Sequence, residues 1–190
     1  MVCKKYIILF FLFFLSSCIT YSFKGSLPDG VNSVSLSSII NNTSEYTLTN
    51  LLNDNLNQEL INQNILDIVD VYSADTSLDI MIESVKDNSN IYTSNENLYE
   101  TVQQWKLTVR VKVNWYNIND NSILLDKSIE EWALYNNSGI DISADGIDND
   151  LDGLLDADDS DEYGSAREAA LRITSQKIIN RIINELISNW

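Results

Sequence analysis

The chain has 190 residues with 12 basic and 28 acidic side chains, two cysteines, one proline and no histidine, and its formal charge is -16 at pH 7. This length suits a single domain, and 44% hydrophobic residues supply a core for it. The missing histidine removes Ser-His and Cys-His catalytic pairs and imidazole metal ligands, and the acidic balance excludes nucleic acid, whose phosphates need an excess of Lys and Arg.

Lys4 and Lys5 precede ten apolar or aromatic residues, Tyr6 to Leu15, and then Ser16-Ser17-Cys18. The run is shorter than the roughly 20 residues that span a bilayer, and it has the basic and apolar regions of a secretory signal. Leu15-Ser16-Ser17-Cys18 also has the form of a bacterial lipobox, in which cleavage before the cysteine leaves Cys18 as an acylated first residue. The competing reading is an ordinary signal peptide with a chance cysteine. Residues 1–17 are expected to be removed, Cys3 among them, so no disulfide framework remains.

In the mature part, Pro28-Asp29-Gly30 marks a turn. Val31 to Ile39, with Val34 and Leu36 alternating against serines, predicts a first strand. From Thr47 to Gln63, Leu48, Leu51, Leu52, Leu56 and Leu60 recur at helical spacing above an Asn-rich face, which predicts an amphipathic helix. Leu78, Ile80 and Ile82 alternate with Asp79 and Glu83 in a second strand, and Lys86 to Gln104 reads as either a loop or an extension of it. Trp105 to Trp115 is the clearest strand: Leu107, Val109, Val111, Val113 and Trp115 take one face, and Lys106, Thr108, Arg110, Lys112 and Asn114 the other.

Asn119-Asp120-Asn121-Ser122 predicts a hairpin into a fourth strand, Ile123 to Tyr135, whose alternation slips between Ile129 and Trp132 as at a bulge. A closing helix from Ser165 to Trp190 carries Ile178, Ile179, Ile182, Ile183, Leu186, Ile187 and Trp190 on one stripe. The order strand, helix, three strands, helix predicts an α+β fold, a two-layer sandwich of about four strands with both helices on one sheet face. It forms one domain, 18–190, with an acidic insertion at about 139–164.

Three groups of side chains invite a functional reading. Lys106, Arg110 and Lys112 share one face of the third strand, and such a ladder suits lipid phosphates or an acidic protein wall. The alternative is a solvated sheet face paired across strands with Asp79 and Glu83. Trp105, Trp115, Trp132 and Trp190 serve either as interface anchors or as core, with Trp115 placed in the core by its strand face.

The third group lies in the insertion. Asp148, Asp150 and Asp152 stand at positions 1, 3 and 5 of a calcium-loop pattern, with Gly153 at 6, Leu154 offering its carbonyl at 7, Asp156 at 9 and Asp159 at 12. Asp at 12 reaches less far than the usual Glu. The alternative is an acidic tether, because Asp141 to Glu162 holds ten carboxylates and no base. A metal-assisted hydrolase finds little support, since such a loop saturates its own cation and no base or oxyanion donor accompanies it.

The order of these pieces resembles the lipopolysaccharide-assembly lipoproteins, the LptE-like family. The resemblance is carried by the lipobox cysteine, Tyr21-Ser22-Phe23-Lys24-Gly25-Ser26-Leu27-Pro28, a strand, Asn-Asn-Thr before a Leu-rich helix, a Leu-Thr-Val-Arg-Val-Lys-Val strand and a terminal Ile-Ser-Asn-Trp. It covers nearly all of the mature chain except Gly139 to Gly164. It implies a small α+β sandwich and a non-enzymatic lipoprotein of the outer membrane, anchored through Cys18 and facing the periplasm. It also implies an LptD-like β-barrel as partner, with lipopolysaccharide as a further ligand. The acidic insertion departs from the family pattern. A calcium-dependent surface lipoprotein, acting as an adhesin or binding module on a similar sandwich, is the competing function.

Overall fold

Alternating Val, Ile and Leu residues build a mixed sheet in the computed structural model, which describes residues 27–94, 100–136, 153–154 and 163–188. The strands are β1 (Ser33–Leu36), β2 (Ile40–Asn41), β3 (Asp67–Ile68), β4 (Thr76–Ser94), β5 (Glu100–Asn117) and β6 (Ile123–Asn136). They are ordered β3-β1-β4-β5-β6, with β2 also on β4. β1 and β2 run parallel to β4, in registers Val34↔Thr76 and Ile40↔Met81, so they are two pieces of one interrupted strand along the same edge. The expected strand from Val31 to Ile39 is therefore shorter, Ser33–Leu36, with β2 just beyond it, and the sheet has five to six strands rather than about four. β3 escapes sequence reading because two residues carry no periodicity.

β4 and β5 form a long antiparallel hairpin, and Lys86 to Gln104, left open between loop and extension, is strand wherever it is described. A register shift between Ile82 and Ser84 changes which residues face the core. Leu78, Ile80 and Ile82 point inward before it, paired with Trp115, Val113 and Val111; after it Val85 and Asp87 do so, paired with Val109 and Leu107. The bulge expected between Ile129 and Trp132 is absent, because Val111↔Ile129, Arg110↔Glu130, Val109↔Glu131 and Thr108↔Trp132 follow without a break. Glu131 simply takes an inward slot near the sheet edge, and the irregularity lies at Trp115/Tyr116 instead.

Two helices cover the inward face. In α1 (Tyr46–Gln63), Leu48, Leu52, Leu56 and Leu60 are buried, and the helix ends at Asn64 with φ 49. That left-handed residue is one Asn tolerates. Its start is held by side chains: Asn41 Nδ2 donates to the Glu45 carbonyl at 3.0 Å and to Thr49 Oγ1 at 2.9 Å. In α2 (Ala166–Ser188), Ile178, Ile179, Ile182, Ile183 and Leu186 are all at most 1% exposed. Ser165 and Glu168 cap it reciprocally, the Ser165 N–H donating to Glu168 Oε2 at 3.2 Å and the Glu168 N–H to Ser165 Oγ at 3.4 Å. The helix stripes and the inward residues of β1, β4, β5 and β6 make one core, and each buried aliphatic side chain contributes roughly 1.5–3 kcal/mol. The two-layer sandwich with both helices on one face is as expected.

Candidate functional site: the open sheet face and its rim

The face of β5 turned away from the helices carries Lys106, Thr108, Arg110, Lys112 and Asn114, since Leu107, Val109, Val111, Val113 and Trp115 are fully buried on the other. Arg110 lies directly opposite Glu130 on β6 and donates to its Oε2 from Nε at 2.9 Å and Nη2 at 2.5 Å. Lys112 pairs with Asp126, also on β6. Asp79 and Glu83 on β4 are thus not the partners of this ladder: Asp79 accepts from Ser37 Oγ at 2.6 Å, and Glu83 falls at the bulge. Water reaches both pairs, Lys112 less than the others, so each stabilises by about 1 kcal/mol or less.

Lys106 behaves differently. Its ammonium lies 4.5 Å from the centroid of the Trp132 ring, and Lys177 from α2 approaches the same ring at 5.6 Å. Lys177 Nζ also donates to the Trp132 carbonyl at 3.4 Å. Trp132 stands 44% exposed on β6, the strand at one end of the sheet order. The three basic residues named from the sequence therefore separate into two that are neutralised locally and one that joins a second lysine at an exposed indole. Such a group attracts anions through its cations while offering an apolar surface. Lys177 was not among the sequence candidates, because nothing in its spacing shows that α2 passes this edge.

The rim between helices and sheet holds a polar cluster that sequence reasoning missed. Arg167, in the first turn of α2, donates to Glu45 at 2.8 Å and to Asp87 Oδ2 from Nε at 3.2 Å and Nη2 at 3.0 Å. Tyr135 on β6 donates its hydroxyl to the other Asp87 oxygen at 2.8 Å. Burial, then the adjoining Asp87 carboxylate, pushes the Tyr135 phenol up to about 12. The hydrogen bonds and charges of Glu45 and Asp87 raise Arg167 above its ordinary value against the opposing effect of burial. Four elements are tied here, while further along α2 Lys127 and Arg181 both reach Glu185, at 2.6 and 3.3 Å.

Cys18, Asp148, Asp150, Asp152, Asp156, Asp159 and Trp190 lie outside the described residues. Leu154 is described and exposed, and Gly153 beside it has φ 96, the left-handed region a sharp turn requires. Among the described residues no three carboxylate, thiol or imidazole groups are gathered to hold a metal ion, and no helix is long and apolar enough to cross a membrane.

Comparison with known proteins adds three findings. The model of the family described as LptE, lipopolysaccharide-assembly, matches residues 31–186. No curated protein sequence matches. Among solved structures, a DUF330-family protein from Xanthomonas campestris aligns with a TM-score of 0.53 at 8% identity, over 85% of this chain and 88% of that one. A hypothetical protein from Chlamydia trachomatis aligns with a TM-score of 0.50 at 10% identity, over 82% and 98%. A minor lipoprotein from Acinetobacter baumannii reaches a TM-score of 0.45 at 10% identity, over 82% and 91%, a likeness too loose to build on. The first two are likenesses of fold.

Proposed function

The chain belongs to the LptE family of lipopolysaccharide-assembly proteins, and from that premise we propose that it is a non-enzymatic lipoprotein acylated at Cys18, held on the periplasmic side of the outer membrane, where it partners an LptD-like β-barrel. The observation that carries this reading is the extent of the family match, from the start of the sheet to the last turns of α2, which takes in every described strand and both helices. The open face offers the partner surface. Arg110 and Lys112 are paired within the sheet, so the described cations left on this face for an anionic wall or for lipopolysaccharide phosphates are Lys86, opposite Thr108, and Lys106, which meets Lys177 around Trp132.

Affinity purification of the tagged, acylated protein in detergent tests the partnership. Recovery with a large outer-membrane β-barrel, weakened when Lys106 and Lys177 are both changed to Glu, is the expected result. Recovery alone, with digestion by protease on intact cells, would replace the assembly role with the surface binding module. A Cys18→Ser precursor that is still processed and still partitions into detergent would remove the anchor.

The insertion is proposed as a calcium loop whose ligands are Asp148, Asp150, Asp152, the Leu154 carbonyl, Asp156 and Asp159. The spacing supports it, together with a glycine of positive φ at the sixth position. Titration calorimetry should detect binding at about 10⁻⁴ to 10⁻³ M, as in other extracellular modules. A flat titration at millimolar calcium would leave the segment an acidic tether.

A further inference from the structure

One end of the sheet exposes apolar side chains that the assembly reading does not use. Tyr72 is 97% exposed, Ile123 71% and Val71 50%. Their segments sit together, because Thr76 pairs with Asn117 and Tyr116 with Ile123. Tyr72 is held in a hydrogen-bonded turn. Asp70 accepts the Tyr72 N–H at 2.9 Å through Oδ1, the Ser73 hydroxyl at 3.1 Å through Oδ2 and the Ser73 N–H at 3.0 Å through its carbonyl. The next carboxylate, Asp75, binds this loop to the incoming chain, accepting the Asn32 N–H at 3.0 Å and the Ser33 N–H and hydroxyl at 3.1 and 2.8 Å. Its carbonyl accepts the Ile118 N–H at 2.9 Å, which adds the β5–β6 turn to the same unit. The turn fixes the Tyr72 backbone and presents its ring almost wholly to water, so the burial an aromatic side chain can gain is left for another surface to supply.

We propose that Val71, Tyr72 and Ile123 rest on the surface of a zwitterionic phospholipid bilayer. The inference rests on acylation of Cys18. Leu27, the first described residue, is nine positions beyond Cys18 and enters the fold at this end, so the tether holds it within roughly 30 Å of the bilayer. β4 runs the other way, its last described residue Ser94 lying on the order of 50 Å further along the strand. A tether of this length supplies a high effective concentration, so a contact too weak to bind alone is occupied. Tyrosine among aliphatic residues is the composition that settles at the headgroup level.

Charge selects the lipid. No Lys or Arg occurs between Gly25 and Val85 or between Val113 and Asp126, whereas Asp29, Asp70, Asp75 and Asp120 all belong to this end. Such a surface gains nothing from anionic headgroups and is repelled by them.

The acylated protein in phosphatidylcholine–phosphatidylethanolamine vesicles provides the test, with a nitroxide at Asn119→Cys in the β5–β6 turn or, as control, at Asn53→Cys on the exposed side of α1. Collision of the label with a water-soluble nickel chelate should be about threefold lower at position 119 than at 53. Val71→Ser, Tyr72→Ser and Ile123→Ser together should abolish that difference while the protein still floats with the vesicles, and phosphatidylglycerol should reduce the protection. Confirmed acyl chains and flotation with equal accessibility at the two positions would overturn the contact alone. A mass showing no acyl group would overturn the anchor and the contact with it. Spin–spin broadening at 119 that persists as the vesicles are diluted with lipid would assign the patch to a second copy instead.

Discussion

The two faces of β5 share one backbone and one set of ladder hydrogen bonds, yet they are stabilised in different ways. Toward the helices, Leu107, Val109, Val111, Val113 and Trp115 are completely removed from water and packed against both helix stripes. Toward solvent, Lys106, Arg110 and Lys112 pair with an indole or with carboxylates that water still reaches. The inward face makes the fold, because area taken from water is what folding gains most from. Between the two runs the rim, where charged groups are half-buried and fully bonded. Substitutions should therefore fall into three ranks, and the ranking is what experiments can break.

The largest effect is expected at Ile182. It is fully buried in the middle of the α2 stripe, so Ile182→Asp removes its packing and places a carboxylate in the apolar core. Urea unfolding of the non-acylated domain should show a loss of at least about 4 kcal/mol, or no folded state. An unchanged midpoint would mean that α2 does not depend on the sheet and that its apolar stripe serves another surface.

Arg167 comes next. Arg167→Ala leaves Glu45 and Asp87 facing each other without a cation, but its side chain is 38% exposed and water compensates in part. A loss of about 1–2 kcal/mol is expected, with the effects of Arg167→Ala and Asp87→Ala less than additive in a double-mutant cycle. The same cluster sets an alkaline limit. Tyr135 holds its proton up to about 12 when folded, above the ordinary 10 of an unfolded phenol, so its contribution is complete below pH 10 and is lost as pH rises to about 12. Tyr135→Phe should flatten the fall in stability across that window; an identical slope would place the alkaline sensitivity elsewhere.

These ranks were partly legible in the sequence. Strict alternation from Leu107 to Trp115 fixes the inward face, and the leucines of α1 and isoleucines of α2 fix what covers it, because periods of 2 and 3.6 leave no other consistent burial. The rim was not legible. Asp87 faces the helices only because the bulge between Ile82 and Ser84 reverses the alternation, and a one-residue shift sends every later side chain to the other face. Ser165-Ala166-Arg167-Glu168 did carry a capping-box signal, which puts Arg167 in the first helical turn, but nothing in it names the carboxylates it meets. The partner strand of Arg110 was equally hidden, since β4 and β6 both flank β5 and both carry acids. The insertion is legible as spacing and charge alone.

The smallest effect is expected on the open face, where the test is also the most discriminating. Arg110 and Glu130 meet in good geometry, but their side chains are 51% and 47% exposed, so losing one leaves the other hydrated rather than stranded. A double-mutant cycle of Arg110→Ala and Glu130→Ala should give a coupling of about 0.2–1 kcal/mol. That coupling should nearly vanish in 1 M salt, where screening acts over about 3 Å. The two faces are distinguished by water rather than by residue type, so the prediction turns on what covers the sheet. In the isolated domain nothing should. A coupling above about 2 kcal/mol that survives 1 M salt would mean that water does not reach the pair. The open face would then already be a closed interface in solution, and the contrast between the two sides of β5 would collapse. With the barrel partner bound, the same cycle should give a larger and less salt-sensitive coupling if the partner covers Arg110, and an unchanged one if it docks only around Trp132.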